Sequence, residues 1–306
     1  MGICEKLKSV ILADVVMVLT IFLLLVQCPC AVANTVHPDG FVLISWDGVS
    51  TDTLQTLLEE DAISNLSSIL KSGSFVNISI TDHYPDTMAG HAQILTGYPP
   101  EITGVFKSLS YSEIPHGYTV FERLEESFGQ DNFSTAIIAS QERSLESLKG
   151  LTFFHAGKVI DYYYGRNSDA GLLGAVASEA VYHFSSRSPF FIFIHFRDAA
   201  DSGYVYGAGS SEQLKSIIAI DSATGKILEA LQGSGMHDRT SVYITTDSGF
   251  NTGLKDHTGQ KKTWLVANEP GLNQTGDQKD ITPTILKRMG VAYEKMSPEY
   301  PGTALS

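Results

Sequence analysis

Cysteine is absent from most of this chain. Cys4, Cys28 and Cys30 are its three cysteines, and all of them lie within the first 30 residues. The rest of the chain can therefore form no internal disulfide and has no thiol for nucleophilic chemistry. Internal repeats, low-complexity tracts and linkers are absent as well, so we expect a single domain from residue 34 to residue 306.

Positive charge is also scarce. The chain has 21 Lys and Arg against 34 Asp and Glu, which gives a formal net charge of −13. An acidic surface repels nucleic acid at long range, and we expect no nucleic-acid binding. The same surface attracts divalent cations.

The N-terminus has the pattern of a targeting segment. Lys6 and Lys8 precede an apolar run at residues 10–26 that only Asp14 interrupts, and the small-x-small sequence Ala31-Val32-Ala33 follows. Residues 1–33 are therefore predicted to be a signal peptide or, alternatively, an uncleaved N-terminal membrane anchor. Either alternative predicts a secreted protein or one held at the outer face of the cell membrane.

Beyond this segment, short apolar runs alternate with segments of helical periodicity. The predicted strands are residues 41–46, 74–80, 135–139, 151–155, 190–196, 242–246 and 263–268. The predicted helices are residues 53–70, 88–95, 118–128, 172–184, 211–231 and 280–289. This alternation predicts an α/β fold with a mainly parallel central sheet that helices flank on both faces.

Three predicted strands end in or just before a carboxylate, namely Asp47, Asp198 and Asp247. Functional groups collect at the carboxyl ends of parallel strands, although acidic turn residues would give the same pattern. Together with Thr87 and the later His257, these residues form a set of oxygen and imidazole ligands that suits zinc, manganese or a similar divalent ion. Thr87 itself is either an ordinary helix N-cap or a group that faces an anion at the helix start.

Two of these segments resemble a known family. Asp47-Gly48 after a strand, and Thr87 followed by GHAQILTGYPPEITGV at residues 90–105, resemble the type I phosphodiesterases/nucleotide pyrophosphatases of the alkaline phosphatase superfamily. The segment DITPTIL at residues 280–286 resembles the last helix of that superfamily, so the likeness spans residues 38–290. The resemblance implies an alkaline-phosphatase-like fold and a hydrolase that acts on small phosphate esters.

The resemblance also implies roles for single residues. Thr87 matches the nucleophile, which attacks phosphorus and forms a phospho-enzyme intermediate. Asp47, Asp247 and Thr87 match ligands of the ion that activates this threonine, and His257 matches a ligand of a second ion. The implied cofactor is a divalent metal, zinc first and manganese as an alternative.

Part of the implied ligand set is missing. The family pattern Asp-Pro-Asp-x-x-Gly-His is DAADSGY here, with Ala200 and Tyr204 at ligand positions, and Ser248 replaces a histidine after Asp247. One ion could remain, with Asp198 or Asp201 as a substitute ligand. We therefore predict an exported metal-dependent phosphodiesterase-like hydrolase that binds one or two ions. The alternative is a non-catalytic binding or scaffold protein, a pseudoenzyme on the same fold.

Two histidines are predicted to be structural. His91 lies one helical turn after Thr87 and is predicted to pack behind the site. His195 lies within the apolar run FFIFIHF and is predicted to be a hydrogen-bonded core residue. Tyr204 and Tyr206 could stack on a ligand ring or pack against other aromatic residues.

Overall fold

The computed structural model describes residue 2 and residues 37–148, 159–187 and 189–305. The chain divides into two units, Met1–Val36 and His37–Ser306. The predicted signal segment at residues 1–33 and the predicted strand at residues 151–155 lie outside the described residues. Within the described ranges, no helix is both long enough and apolar enough to cross a membrane.

A central sheet organises the second unit. The strands are β1 Gly40–Trp46, β2 Ser74–Ser79, β3 Val105–Lys107, β4 Ser110–Tyr111, β5 Ser134–Ala139, β6 Tyr162–Gly165, β7 Phe190–Phe196, β8 Thr240–Thr245, β9 Lys262–Ala267 and β10 Thr275–Asp277. Eight of them form one sheet in the order β10-β2-β9-β8-β1-β7-β5-β6, while β3 and β4 form a separate hairpin. Every neighbouring pair in the sheet is parallel except those of β9, which runs antiparallel to β2 and β8. The predicted mainly parallel sheet is confirmed.

Helices cover both faces of this sheet. They are α1 Thr51–Glu59, α2 Ser64–Leu70, α3 Thr87–Thr96, α4 Pro100–Thr103, α5 Val120–Phe128, α6 Ala170–Ser185, α7 Asp198–Tyr206, α8 Ser211–Gly233 and α9 Ile281–Arg288. Two apolar cores result, one against α1, α2, α6 and α8 and the other against α3, α5 and α9. The α/β fold class is thereby confirmed in full.

The residues of β1 alternate between these two cores. Val42, Ile44 and Trp46 lie in the first core, whereas Phe41 and Leu43 lie in the second. A strand that is buried on both faces reads as a continuous apolar run, which is why β1 was recognisable from its sequence. The next residue on the second face is a serine, and this exception lies next to the candidate site.

Some elements differ from the predictions. The single helix predicted at residues 53–70 is two helices, because the chain turns at Asp61 with φ 53°. Aspartate tolerates this left-handed conformation better than most residues do. The edge strand β6, the three-residue strand β10 and helix α7 had not been predicted.

Candidate active site

Asp47 and Asp247 meet at the carboxyl edge of the sheet. Asp47 follows β1 directly and Asp247 follows the parallel neighbour β8, and a further bridge joins Gly48 to Gly249 just beyond them. Both carboxylates are buried, and the parallel register of β1 and β8 sets the two residues at the ends of adjacent strands. Burial raises the pKa of Asp47 to about 6 although the Arg197 charge opposes this, and burial together with the charge of Asp47 raises the pKa of Asp247 to about 6.

His195 forms a hydrogen bond with Asp47 of this pair. The β1–β7 register sets His195 beside Ser45, and its Nε2–H donates a hydrogen bond of 3.1 Å to Asp47 Oδ2. Burial lowers the pKa of His195 to about 4, so its ring is neutral near pH 7. Its buried Nδ1 has no partner among the described residues, which assigns the proton to Nε2. His195 is a hydrogen-bonded core residue as predicted, but its bond to Asp47 makes it part of the site.

His91 links the start of α3 to β1. Its Nδ1–H donates to the Thr87 carbonyl oxygen at 2.7 Å, so its Nε2 accepts the Ser45 hydroxyl proton at 2.8 Å. Its ring centroid lies 4.6 Å from that of His195. Burial, followed by the neighbouring His195, lowers the pKa of His91 to about 4. The prediction of a packed histidine agrees with this arrangement, which ties the backbone of Thr87 to the strand that carries Asp47.

Thr87 is the first residue of α3, and its N-cap is Asp86. The prediction that Thr87 could be an ordinary N-cap is therefore wrong. Thr87 is 7% exposed, and its hydroxyl forms no hydrogen bond with any residue of the described ranges. One turn later, Gly90 packs directly on Asp247, because a Cβ at residue 90 would lie 2.9 Å from the Asp247 Cβ. This close approach positions α3, and with it Thr87, against the carboxylate pair.

Asp86 connects this helix start to the β3–β4 hairpin. Its Oδ1 accepts hydrogen bonds from the backbone N–H groups of Met88 and Ala89 and from both the N–H and the hydroxyl of Ser108. Four donors on one oxygen fix the entry of α3.

Replacing Asp86 with alanine is expected to lower the free energy of unfolding by about 2 kcal/mol, because a helix cap and the hairpin contact are lost together. Chemical denaturation measures this change. Asp86→Ser, which keeps an oxygen that can cap the helix, should lose less than half as much. Equal losses in the two variants would contradict a capping role.

Asp198 and Asp201, the other acidic candidates, have hydrogen-bond partners outside this pair. Asp198 Oδ1 accepts from the Ala170 N–H at 2.8 Å at the start of α6, and burial raises its pKa. Asp201 is largely exposed and binds Arg197 Nε at 2.8 Å. Asp47 and Asp247 thus lie together, whereas the Asp198 Oδ1 and Asp201 Oδ1 atoms bind partners outside this pair.

Aromatic side chains surround His257. Its ring centroid lies 5.9 Å from that of Tyr204 and 5.8 Å from that of Phe250, a residue that is almost fully buried. Phe250 follows Asp247 by three residues, so His257 packs against the segment that carries Asp247. Its neighbourhood is nevertheless apolar and aromatic.

Two hydrogen bonds to Asp247 were not predicted. Gln278 Nε2 donates to the Asp247 carbonyl oxygen at 2.8 Å, and the Ser248 hydroxyl donates to Asp247 Oδ2 at 3.2 Å. Gln278 is fully buried, and it fixes the backbone on which Asp247 lies. The sequence shows only a glutamine shortly before the last predicted helix, and its burial was not recognisable from the sequence.

The donor set fits one divalent ion better than two. Two carboxylates whose pKa values are raised chiefly by burial, with a free threonine hydroxyl on the helix that packs on Asp247, offer hard oxygen ligands whose burial a cation would compensate. A second site does not fit, because the aromatic rings of Tyr204 and Phe250 pack against His257 in place of ligands, and Ala200 packs with Phe250. In the described part of the chain, no three Asp, Glu, His or Cys side chains are arranged to hold a metal, so a single ion would depend on Thr87 and water for further ligands.

The chain is similar in sequence to a family of known proteins. Residues 41–299 match the model of a family described as type I phosphodiesterase/nucleotide pyrophosphatase. Human ectonucleotide pyrophosphatase/phosphodiesterase family member 1 is 24% identical in an alignment 247 residues long, which covers 74% of this chain and 26% of that protein. This chain thus spans about a quarter of the length of that relative.

Solved structures show the same fold at low identity. An inactive variant of murine ectonucleotide pyrophosphatase/phosphodiesterase 5 in complex with AMP matches with a TM-score of 0.62 at 11% identity, over 86% of this chain and 97% of that chain. A protein of the alkaline phosphatase superfamily from Vibrio parahaemolyticus also matches with a TM-score of 0.62, at 17% identity, over 83% of this chain and 67% of that chain.

Proposed function

Because this chain belongs to the type I phosphodiesterase/nucleotide pyrophosphatase family, we propose that it hydrolyses small phosphate esters with Thr87 as the nucleophile and one divalent ion, zinc or manganese, as cofactor. The main observation in support is the position of Thr87. It is the first residue of α3, which packs on Asp247, and its hydroxyl forms no hydrogen bond with the described residues. Phosphodiesters of nucleotides are the proposed substrate class, since the murine neighbour was solved with AMP.

Several residues near the carboxylate pair contribute to the proposed reaction. The Thr87 oxygen attacks phosphorus, one ester oxygen leaves, and the other ester group stays on the phosphorus that is now bound to Thr87; water then cleaves the bond between phosphorus and the Thr87 oxygen and restores the hydroxyl. His91 and Asp86 hold the nucleophile in place, while His195 orients Asp47. When bound by Asp47, Asp247 and Thr87, a divalent ion would supply the positive charge that lowers the pKa of the threonine hydroxyl.

The proposed location of the activity is outside the cytoplasm. The basic and apolar pattern of residues 1–33 and the sequence Ala31-Val32-Ala33 support export, either with cleavage or with the segment kept as a membrane anchor. A chain free of cysteine after residue 30 needs no disulfide to fold in either case.

The second candidate is a non-catalytic binding protein. The observation that favours it is the replacement of three of six ligand positions by Ala200, Tyr204 and Ser248, which leaves His257 as the one family ligand of the second ion. Such a protein would bind an ion and a phosphate-like ligand at the same edge of the sheet without turnover.

An assay of the full-length chain with bis(4-nitrophenyl) phosphate distinguishes the two candidates. We expect zinc or manganese to support hydrolysis and a chelator to remove it. Calorimetry on the same sample should show one bound ion per chain. Ion binding without hydrolysis would favour the binding protein, and neither ion binding nor hydrolysis would contradict the proposed enzyme and its metal site together.

A further inference from the structure

His83 lies at the contact between the loop that leads to Thr87 and the segment that follows β10. Its Nδ1 lies 2.8 Å from the Tyr84 carbonyl oxygen, and its Nε2 lies 2.6 Å from Gln278 Oε1. Gln278 is fully buried, and its Nε2 donates to the Asp247 carbonyl oxygen at 2.8 Å. A chain of two hydrogen bonds therefore joins the loop before the proposed nucleophile to the backbone of Asp247.

Both ring nitrogens of His83 face hydrogen-bond acceptors. The Tyr84 carbonyl group can only accept a hydrogen bond. The Gln278 side chain presents its oxygen to the ring, because its nitrogen faces two further carbonyl oxygens, that of Asp247 at 2.8 Å and that of Thr246 at 3.5 Å. A neutral imidazole has one N–H group and can satisfy only one of its two acceptors, whereas the imidazolium satisfies both. The arrangement around His83 thus fits the doubly protonated ring.

The charges near His83 favour the same form of the ring. The titratable side chains on its own loop and on the facing segment are Asp82, Tyr84, Asp86, Asp277, Lys279 and Asp280. Lys279 Nζ binds Asp82 Oδ2 at 2.8 Å, and Thr81 Oγ1 donates to Asp277 Oδ2 at 2.7 Å, so further contacts hold the loop against this segment. Carboxylates outnumber the ammonium group of Lys279 here, and an excess of negative charge stabilises a cationic ring.

We infer that His83 is a positioning residue whose doubly protonated ring holds the loop before Thr87 against the segment that carries Asp247, and that turnover falls when the ring loses one proton. The effect on turnover rests on the proposed function, because it requires Thr87 to act as the nucleophile. Loss of one proton breaks the bond to Tyr84 or the bond to Gln278, so the loop can shift. A displacement of about 1 Å in an active site can lower a rate about a hundredfold.

Hydrogen exchange of the full-length chain, followed by mass spectrometry, tests the link without reference to activity. His83→Gln keeps an amide donor for Gln278 and has none for the Tyr84 carbonyl oxygen, so it imitates the neutral ring. At about pH 6 we expect the peptide with residues 80–90 to exchange about tenfold faster in this variant than in the parent, as for the loss of one hydrogen bond from a charged group. At about pH 8.5 the two proteins should agree within about twofold, because histidine has ordinarily lost its charge there. His237→Gln changes an exposed histidine before β8 and is the matched control, which should follow the parent at both pH values.

Hydrolysis of bis(4-nitrophenyl) phosphate with zinc tests the positioning role. At about pH 6 we expect the kcat of His83→Gln to be about tenfold below that of the parent and its KM to stay within about twofold, because the loop places the nucleophile and not the substrate. At about pH 8.5 the two kcat values should agree within about twofold. The ratio of variant to parent at each pH removes the protonation of Asp47 and Asp247, which both proteins share.

The two measurements separate the link from the hydrolase. Equal exchange in parent and His83→Gln at both pH values, or an equal difference at both, would refute a link that depends on the second ring proton. Faster exchange at pH 6 with an unchanged kcat would refute the positioning role and leave the proposed hydrolase intact. A parent without hydrolysis would contradict the effect on turnover together with the proposed function, while exchange would still decide the link through Gln278. Both variants are expected to fold, because His83 is partly buried on a loop and His237 is exposed.

Discussion

Replacing Thr87 with alanine is expected to reduce hydrolysis of bis(4-nitrophenyl) phosphate by at least about a thousandfold, because no other group can form the covalent intermediate. The variant should fold normally, since Asp86 caps α3 and the Thr87 hydroxyl holds no other residue of the described ranges. Initial rates with zinc, set against the thermal unfolding of the same sample, measure both effects.

Thr87→Ser is the matched control for this loss. It keeps a hydroxyl at the same helix position and should retain measurable turnover. Brief incubation of the parent with substrate, followed by acid quench and peptide mass analysis, should place one 4-nitrophenyl phosphoryl group on the peptide that contains Thr87. Turnover that persists in Thr87→Ala, or a phosphoryl group on another residue, would refute the assigned nucleophile.

Replacing Asp247 with asparagine is expected to stabilise the metal-free protein at neutral pH. The pKa values of Asp47 and Asp247 are both raised to about 6, so the folded state holds their protons more tightly than the unfolded state does. The free energy of unfolding should therefore fall as pH rises from about 4 to about 6 and stay level above that window. Removing one charge of the pair should restore on the order of 2–3 kcal/mol at pH 7.5.

Zinc should reverse the order of these two proteins. Added ion should raise the melting temperature of the parent by several degrees and leave Asp247→Asn nearly unchanged, because only the parent has two carboxylates to bind it. Asp131→Asn, which removes an equal charge at an exposed position, should match the parent with and without zinc. If the metal-free Asp247→Asn variant is less stable than the metal-free parent, the two buried carboxylates do not destabilise the fold.

Local signals predicted the buried strands well and the edge elements poorly. The runs in β1 and β7 are apolar at almost every residue because helices cover both faces of the sheet. Strand β6, with three tyrosines and partial exposure, has no such run, and its place depends on pairing with β5. Edge strands are defined by their neighbours, and this information is not contained in a short window of sequence.

In the candidate site, too, some residues could be predicted from the sequence and others could not. Asp47, Thr87 and Asp247 were recognisable from strand ends and from the family resemblance. The partner of His195 was not, because it depends on a register between two strands that lie far apart in the chain. Asp86 and Thr87 are both capping residue types, and the extended backbone of Asp86, with φ −161°, determined which of them became the cap.

The position of β1 sets the order in which the chain can fold. β1 emerges early in synthesis, yet its neighbours β7 and β8 begin about 150 and 200 residues later. Most of the chain must be made before the central strand is paired, so contacts of high sequence separation should make folding slow. Asp47 and Asp247 can meet only after β8 has docked, so the site is assembled at a late step. A chain that crosses a membrane during synthesis would therefore do so before the central strands of its sheet have paired.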